Sequence, residues 1–195
     1  MKYSQPFPLK SHKLLAAFTE KHMEQYNTDP VYMVKVTLPE RVKQILDAEL
    51  VALGLSPAVG TVAFKRNTAV DFDPVRYTHV DYDERTDDIT NASIIVPVSG
   101  CQGSRMFWVD GQYTLTRSHD RSGNSRMDVD WHGAGQVVCE QEIVEPTLVR
   151  VNTPHGAYSR QDGSYRTILS LRLRDNESFE HIVDKIKAKE TANGR

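Results

Sequence analysis

Apolar positions along the chain change their period twice, and the changes mark the elements. Over residues 11–26, Leu14, Leu15, Phe18, His22 and Tyr26 recur at helical spacing, which predicts an amphipathic helix. Residues 31–38 read as a strand. A second helix follows, with Val42, Ile45, Leu46, Leu50 and Leu53 on one face, Thr37 and Glu40 in capping-box spacing at its start and Gly54 at its end. Beyond Ser56-Pro57 and Gly60 the period falls to two, and strands are predicted over 61–65, 76–82, 93–98, 136–144, 147–153 and 165–173. Residues 105–109 and 112–116 flank Asp110-Gly111 and carry the strongest hairpin signal, because Asp-Gly suits a tight type I′ turn. The acidic stretch 83–90 and the polar, glycine-bearing stretch 117–135 are expected as loops. Residues 175–190 close the chain as a helix with Phe179, Ile182, Val183 and Ile186 at helical spacing, followed by a frayed tail.

Eight or so short strands, with two helices before them and one after, fit a mainly β protein with flanking helices: a double-stranded β-helix, that is, a cupin-like jelly roll. One domain is expected over 1–195. In it, 1–60 brace the sheet, 61–174 form the β core and 175–195 supply the last helix and tail. A dinucleotide-binding α/β fold is excluded, since strands and helices do not alternate and no glycine-rich strand-to-helix turn is present. With 195 residues, 39% of them hydrophobic, the chain can bury a sizeable core. A net charge of −2 speaks against nucleic acid or a membrane surface as partner. Cys101 and Cys139 are too few for a disulfide framework, so reduced thiols and a cytoplasmic location are expected. The first residues lack a signal peptide's apolar stretch, and no run approaches a membrane span. Oligomeric state leaves no mark on the sequence.

Chemistry concentrates around His79-Val80-Asp81. Side chains at i and i+2 of a strand point to one face, so this strand can offer an imidazole and a carboxylate to a single cation. The spacing alone is unspecific, because 7 histidines and 26 acidic residues produce such a pair by chance. Indeed His22-Met23-Glu24 matches too, but on a helix i and i+2 diverge, and these two read as helix-surface residues. A third ligand is available in His155, at the end of the 147–153 strand. Arg166 then opens a strand on which Thr167, Leu169, Leu171 and Leu173 form one face and Arg166, Ile168 and Ser170 the other. Two histidines and one carboxylate leave coordination positions open, which suits non-haem Fe(II) that must bind a co-substrate and O2. His132, in Asp130-Trp-His132, is the rival third ligand, in a polar stretch with no arginine strand behind it. His12, His119 and His181 read as solvated. Trp108, Tyr113 and Trp131 could line a substrate pocket, but aromatics in strands are more often core, and they receive no functional assignment.

The order His79-x-Asp81, a spacer running from residue 82 to 154, then His155 and an arginine at 166 resembles the Fe(II)- and 2-oxoglutarate-dependent oxygenases. The likeness covers roughly residues 76–174, and the Asn-Thr-Pro-His-Gly phrase at 152–156 adds to it. It implies His79, Asp81 and His155 as the metal ligands and Arg166 as the clamp on the far carboxylate of 2-oxoglutarate. Many members carry a serine two residues after that arginine; here the place is Ile168, and Ser170 lies one step further on the same face. Fe(II), 2-oxoglutarate and O2 are the implied cofactor and co-substrates, with hydroxylation of a small-molecule or peptidyl substrate and release of succinate and CO2. Hydrogen bonds should orient the histidines, and Asn152 or Tyr77 could serve, though no motif singles out either. The alternative is a non-catalytic cupin-like module that binds a metal or small ligand, disfavoured because cupin sites draw more histidines from one strand than this chain offers.

Overall fold

Strands whose alternate residues meet two apolar environments, rather than an apolar one and water, build the first of two sheets. The computed structural model describes residues 2–26, 33–66, 73–119, 125–159 and 165–192. Its elements are β1 (Ser4–Pro6), α1 (His12–Met23), β2 (Val34–Lys35), α2 (Glu40–Ala52), β3 (Ala58–Arg66), β4 (His79–Asp83), β5 (Asp88–Ile89), β6 (Ala92–Ser99), β7 (Arg105–Asp110), β8 (Tyr113–His119), β9 (Ser125–Trp131), β10 (Gln136–Glu142), β11 (Thr147–Arg150), β12 (His155–Tyr158), β13 (Arg166–Leu173) and α3 (Phe179–Ala192). The first sheet runs β1-β11-β6-β13-β3-β2. The second runs β10-β7-β12-β4-β9-β8, with β5 hydrogen-bonded to β4.

Eight of these strands pair in nested order. In chain sequence β3, β4, β6 and β7 find β13, β12, β11 and β10 as partners, first with last and innermost with innermost. A long hairpin folded over on itself produces this pairing, and it makes the protein a jelly roll of two facing antiparallel sheets. On β6, Ile94 and Val96 pack with the helices while Ile95 packs between the sheets; on β13, Leu169, Leu171 and Leu173 do the former and Ile168 the latter. Leu15 and Met23 of α1, Leu46 and Leu50 of α2, and Phe179, Ile182, Val183 and Ile186 of α3 cover the outer face. Each fully buried leucine there contributes about 1.5–3 kcal/mol relative to exposure. Between the sheets lie Ile95, Val149, Val151 and Ile168 from one side and Met106 and Trp108 from the other.

Several local expectations are corrected. The buried stripe of α1 is Leu15, Thr19 and Met23 at four-residue spacing, and Leu14 points out at 44% exposure. Helix α2 begins at Glu40 behind an extended Pro39, and Lys43 N–H donates to the Pro39 carbonyl; Thr37 stands too early to cap, and Ile45 is exposed. Gly54 ends that helix in the left-handed region at φ +77°, as expected. The strand carrying the histidine starts at His79 rather than 76, after a 3₁₀ turn at Val75–Tyr77. The acidic stretch after it is a tight hairpin, with Tyr82 opposite Ile89 and Asp83 opposite Asp88.

The largest correction concerns the Asp110-Gly111 hairpin. Both flanking strands form, but they do not pair: β7 lies between β10 and β12, and β8 pairs with β9 at the edge of the second sheet. A type I′ turn needs positive φ at both central residues, and Asp110 does not have it. Met106 to Val109 are all buried whereas β8 is mostly polar and exposed, so β7 takes the apolar partners of the sandwich interior. Much of the expected 117–135 loop is therefore strand, β8 reaching His119 and β9 covering Ser125–Trp131. Residues 120–124, the 31–32 start of the first predicted strand and the 193–195 end of the tail lie outside the described residues. Among the described residues no helix is long and apolar enough to cross a membrane.

Candidate metal centre

Strand β12 is a short central strand held from both sides, and His155 is its first residue. It stands opposite His79 of β4 on one flank and Trp108 of β7 on the other. The approach to it is tied down by backbone hydrogen bonds: Asp81 N–H to the Val151 carbonyl at 3.1 Å, Val151 N–H to Asn91 at 3.2 Å and Val109 N–H to Pro154 at 3.0 Å. Gly156 follows because a β-carbon there would come within 2.5 Å of the Phe107 ring, so a larger residue would push the strand off its partner.

Directly opposed residues of paired strands share a face. The His79 and His155 rings accordingly lie 4.6 Å apart, centre to centre, and Asp81, two residues along β4, joins them. His79 Nε2 and His155 Nε2 approach Asp81 Oδ1 to 3.5 and 3.7 Å. One donor atom from each of the three lies within 4.8 Å of the others, and among the described residues no other such group occurs. Three donors at right angles around one ion, with bonds of about 2.1 Å, would stand about 3 Å apart, so a small inward rotation of the side chains completes the set. His155 is buried at 4% exposure, while His79 and Asp81 are half-buried, so the cluster opens on the His79 side.

Protonation states suit a cation. His155 Nδ1 lies 2.9 Å from the Thr153 carbonyl, which can only accept, so Nδ1 carries the proton and Nε2 presents its lone pair to the cluster. Burial, and then the neighbouring His79, push the His155 pKa down to about 4, leaving it neutral at pH 7. Burial alone would raise the Asp81 carboxyl; the adjacent His79 side chain and the charge of Arg172 outweigh it and hold the group well below the usual carboxylate range. Metal binding requires this combination of neutral imidazole and ionised carboxylate.

Arg172 is the residue that sequence reasoning missed. Its Nη2 lies 3.6 Å from Asp81 Oδ2 and its Nη1 donates to the Tyr82 carbonyl at 3.0 Å. Asp81 thus turns one oxygen to the histidines and the other to a guanidinium. The signal was available, since Arg172 is an even number of residues from Arg166 on one strand and so shares its face. That face carries Arg166, Ile168 and Ser170, all buried, with Ile168 in the fill between the sheets. Arg166 stands beside Cys101, whose thiol pKa burial raises and the Arg166 charge opposes. The turn before Cys101 is pressed against the entry to β13: Gly100 is left-handed at φ +62°, and a β-carbon there would meet the Tyr165 carbonyl at 1.9 Å.

The other candidates fall outside the cluster. His132 is exposed beyond β9, its N–H donating to the Gln112 carbonyl, and is no partner of the pair. His22 and Glu24 sit at the end of α1, where the His22 ring packs on Phe18 and Tyr26. His119 and His181 are exposed beside Glu84 and Glu177, while His12 is half-buried with Nδ1 on the Leu9 carbonyl. Asn152 donates to Asn91 and Tyr77 is exposed; the carbonyl of Thr153 takes the orienting role expected of them. Trp108 is core, stacked on Tyr3, and Trp131 packs on Tyr113 with its Nε1 toward the Val75 carbonyl.

No family model and no curated protein matches the sequence. Among solved structures, the crystal structure of AviO1 from Streptomyces viridochromogenes Tue57 aligns over 88% of this chain and 89% of its own, with 14% identity and a TM-score of 0.39. A likeness of that size carries no argument about function, which rests on the site itself.

Proposed function

We propose that the protein is an Fe(II)- and 2-oxoglutarate-dependent dioxygenase that hydroxylates its substrate. The observation that carries the reading is the pairing of His155 against His79 with Asp81 beside them, two imidazoles and one carboxylate on one open-sided cluster. Such a donor set would leave coordination positions open for exchangeable ligands, whereas a structural site would be closed. When bound, Fe(II) and 2-oxoglutarate supply the oxidising chemistry, with decarboxylation to succinate and CO2 and transfer of one oxygen atom to a C–H bond.

The chain's own part is to hold and exclude. His79, Asp81 and His155 would hold the ion, with Thr153 fixing the His155 tautomer and Arg172 engaging the other oxygen of Asp81. Arg166, an inward guanidinium, would hold the far carboxylate of 2-oxoglutarate, and Ser170, on the same face, would offer a hydroxyl. Met106, Trp108 and Ile168 keep the closed end dry. The test is succinate release from 2-oxoglutarate by the Fe(II)-loaded protein under air. Slow substrate-independent release, lost in Arg166→Leu, is expected; no release under any addition favours a binding module instead.

A further inference from the structure

The second sheet is two strands wider than the eight-strand jelly roll, and both extra strands, β9 and β8, lie on the outer side of β4. Register carries the site into that extension. Asp128 stands opposite His79 and Arg126 opposite Asp81; Thr116 and Ser118 continue the same rows on β8. Opposed residues share a face, so Arg126 and Asp128 flank the metal cluster on its own face, one strand spacing of about 4.8 Å away.

Arg126 Nε and Asp128 Oδ1 are 2.7 Å apart, each side chain is 41% exposed, and neither makes another ion pair among the described residues. Stability does not account for them, because exposed pairs of this kind contribute about 0–1 kcal/mol. Nor do they attach the hairpin, which is held from its other face. There Arg117 lies over the Tyr82 ring at 4.7 Å and pairs with Asp87 and Glu84 at 3.2 and 3.7 Å, and His119 meets Glu84 at 3.4 Å. The inward pair is thus a charged couple beside the cluster with no structural task.

We infer that Arg126 and Asp128 bind the carboxylate and the ammonium of a zwitterionic substrate, a free α-amino acid, and hold its side chain over the metal; this rests on the dioxygenase reading. A zwitterion replaces one internal ion pair by two intermolecular ones and brings no net charge. A phosphate or polynucleotide would meet one guanidinium against two carboxylates, since Asp130 lies on the same face, hydrogen-bonded to Thr116 at 2.7 Å. An uncharged substrate would leave the couple unused.

The test is calorimetric titration of the Fe(II)- and 2-oxoglutarate-loaded protein, without O2, with the common free L-amino acids, repeated with the methyl ester and N-acetyl forms of any that bind. Succinate release under air is measured in parallel. At least one free amino acid should bind and stimulate release, and blocking either charge should weaken binding roughly 10- to 100-fold. Arg126→Gln should abolish the preference for acid over ester, and Asp128→Asn the preference for free over acetylated amine, which a merely structural role would not separate. If succinate is released but no free amino acid binds, or if each variant weakens acid and ester alike, the inference is overturned and the dioxygenase reading stands. If no succinate is ever released, the reading itself fails.

Discussion

The first sheet is covered by helices on one face and by the second sheet on the other; the second is buried on both faces mainly along β4 and β7, where Val80, Phe107 and Val109 are buried. Along β6 and β13 of the first, Ile94, Val96, Leu169 and Leu171 are sealed under three helices while Ile95 and Ile168 fill the space between the sheets. Along β8, β9 and β10 of the second, residues are half-buried or exposed. The His79–Asp81–His155 cluster sits on β4 and β12, between the β7 strand that contributes Met106 and Trp108 to the fill and the β8–β9 extension. Most of the helix-covered apolar packing therefore lies on the first sheet and the His79–Asp81–His155 cluster on the second; Arg172, reaching from β13 to Asp81, and Trp108, donating to the Arg150 carbonyl, bridge the two.

That division can be broken from either side. Leu171 is fully buried beneath the helices, so Leu171→Ala should cost about 2–5 kcal/mol of stability, read by urea denaturation, while the surviving folded fraction keeps its metal affinity. Lost affinity without lost stability would put the division in the wrong place. A pH effect should follow on the other sheet. Folded apo-protein holds His155 at a pKa of about 4, below its ordinary 6.5, so it binds fewer protons than the unfolded chain between those values. Stability should thus be full above pH 6.5 and fall as pH drops toward 4, by at most about 3 kcal/mol. Loss of the Asp81 contribution would set in only at lower pH, as that carboxyl becomes protonated. Urea midpoints at pH 7 and 4.5 measure the slope, and His155→Ala should flatten it; an unchanged slope in the variant would assign it to other groups. Smallest in energy, Arg172→Met should weaken Fe(II) binding about 10- to 100-fold with little change in folding, as expected for a partner that orients a ligand. Unaltered affinity would mean that Asp81 needs no such support.

The site was legible in the sequence to the extent that it depends on strand parity and chain order. His79 and Asp81 share a face wherever their strand lies; His155, expected at the end of a 147–153 strand, instead opens a separate central strand, β12, because β11 ends at Arg150. Arg172 follows the same parity rule, but its partner becomes evident only when β13 is set against β4. The fold class was legible too, from the count of period-two segments and the helices around them. Pairing was not. Asp110-Gly111 is a strong local turn signal, yet β7 is buried on both faces and takes β10 and β12 as neighbours, which no local signal reports. The β9 strand does carry an alternating apolar face, Met127, Val129 and Trp131, which went unread among the polar residues of 117–135, and its place beside β4 comes from backbone hydrogen bonds. Thr37 and Leu14 failed for a smaller reason, helix starts and faces that shift by two residues or fewer when packed.

Equilibrium titration of the apo-protein with Fe(II) in the presence of 2-oxoglutarate and absence of O2, followed by the visible charge-transfer absorbance of the chelate, tests the metal centre most directly. The wild type should saturate at one ion per chain, and Asp81→Ala and His155→Ala, folded by circular dichroism, should develop no band. A full band in either variant, or none in the wild type, would contradict the account.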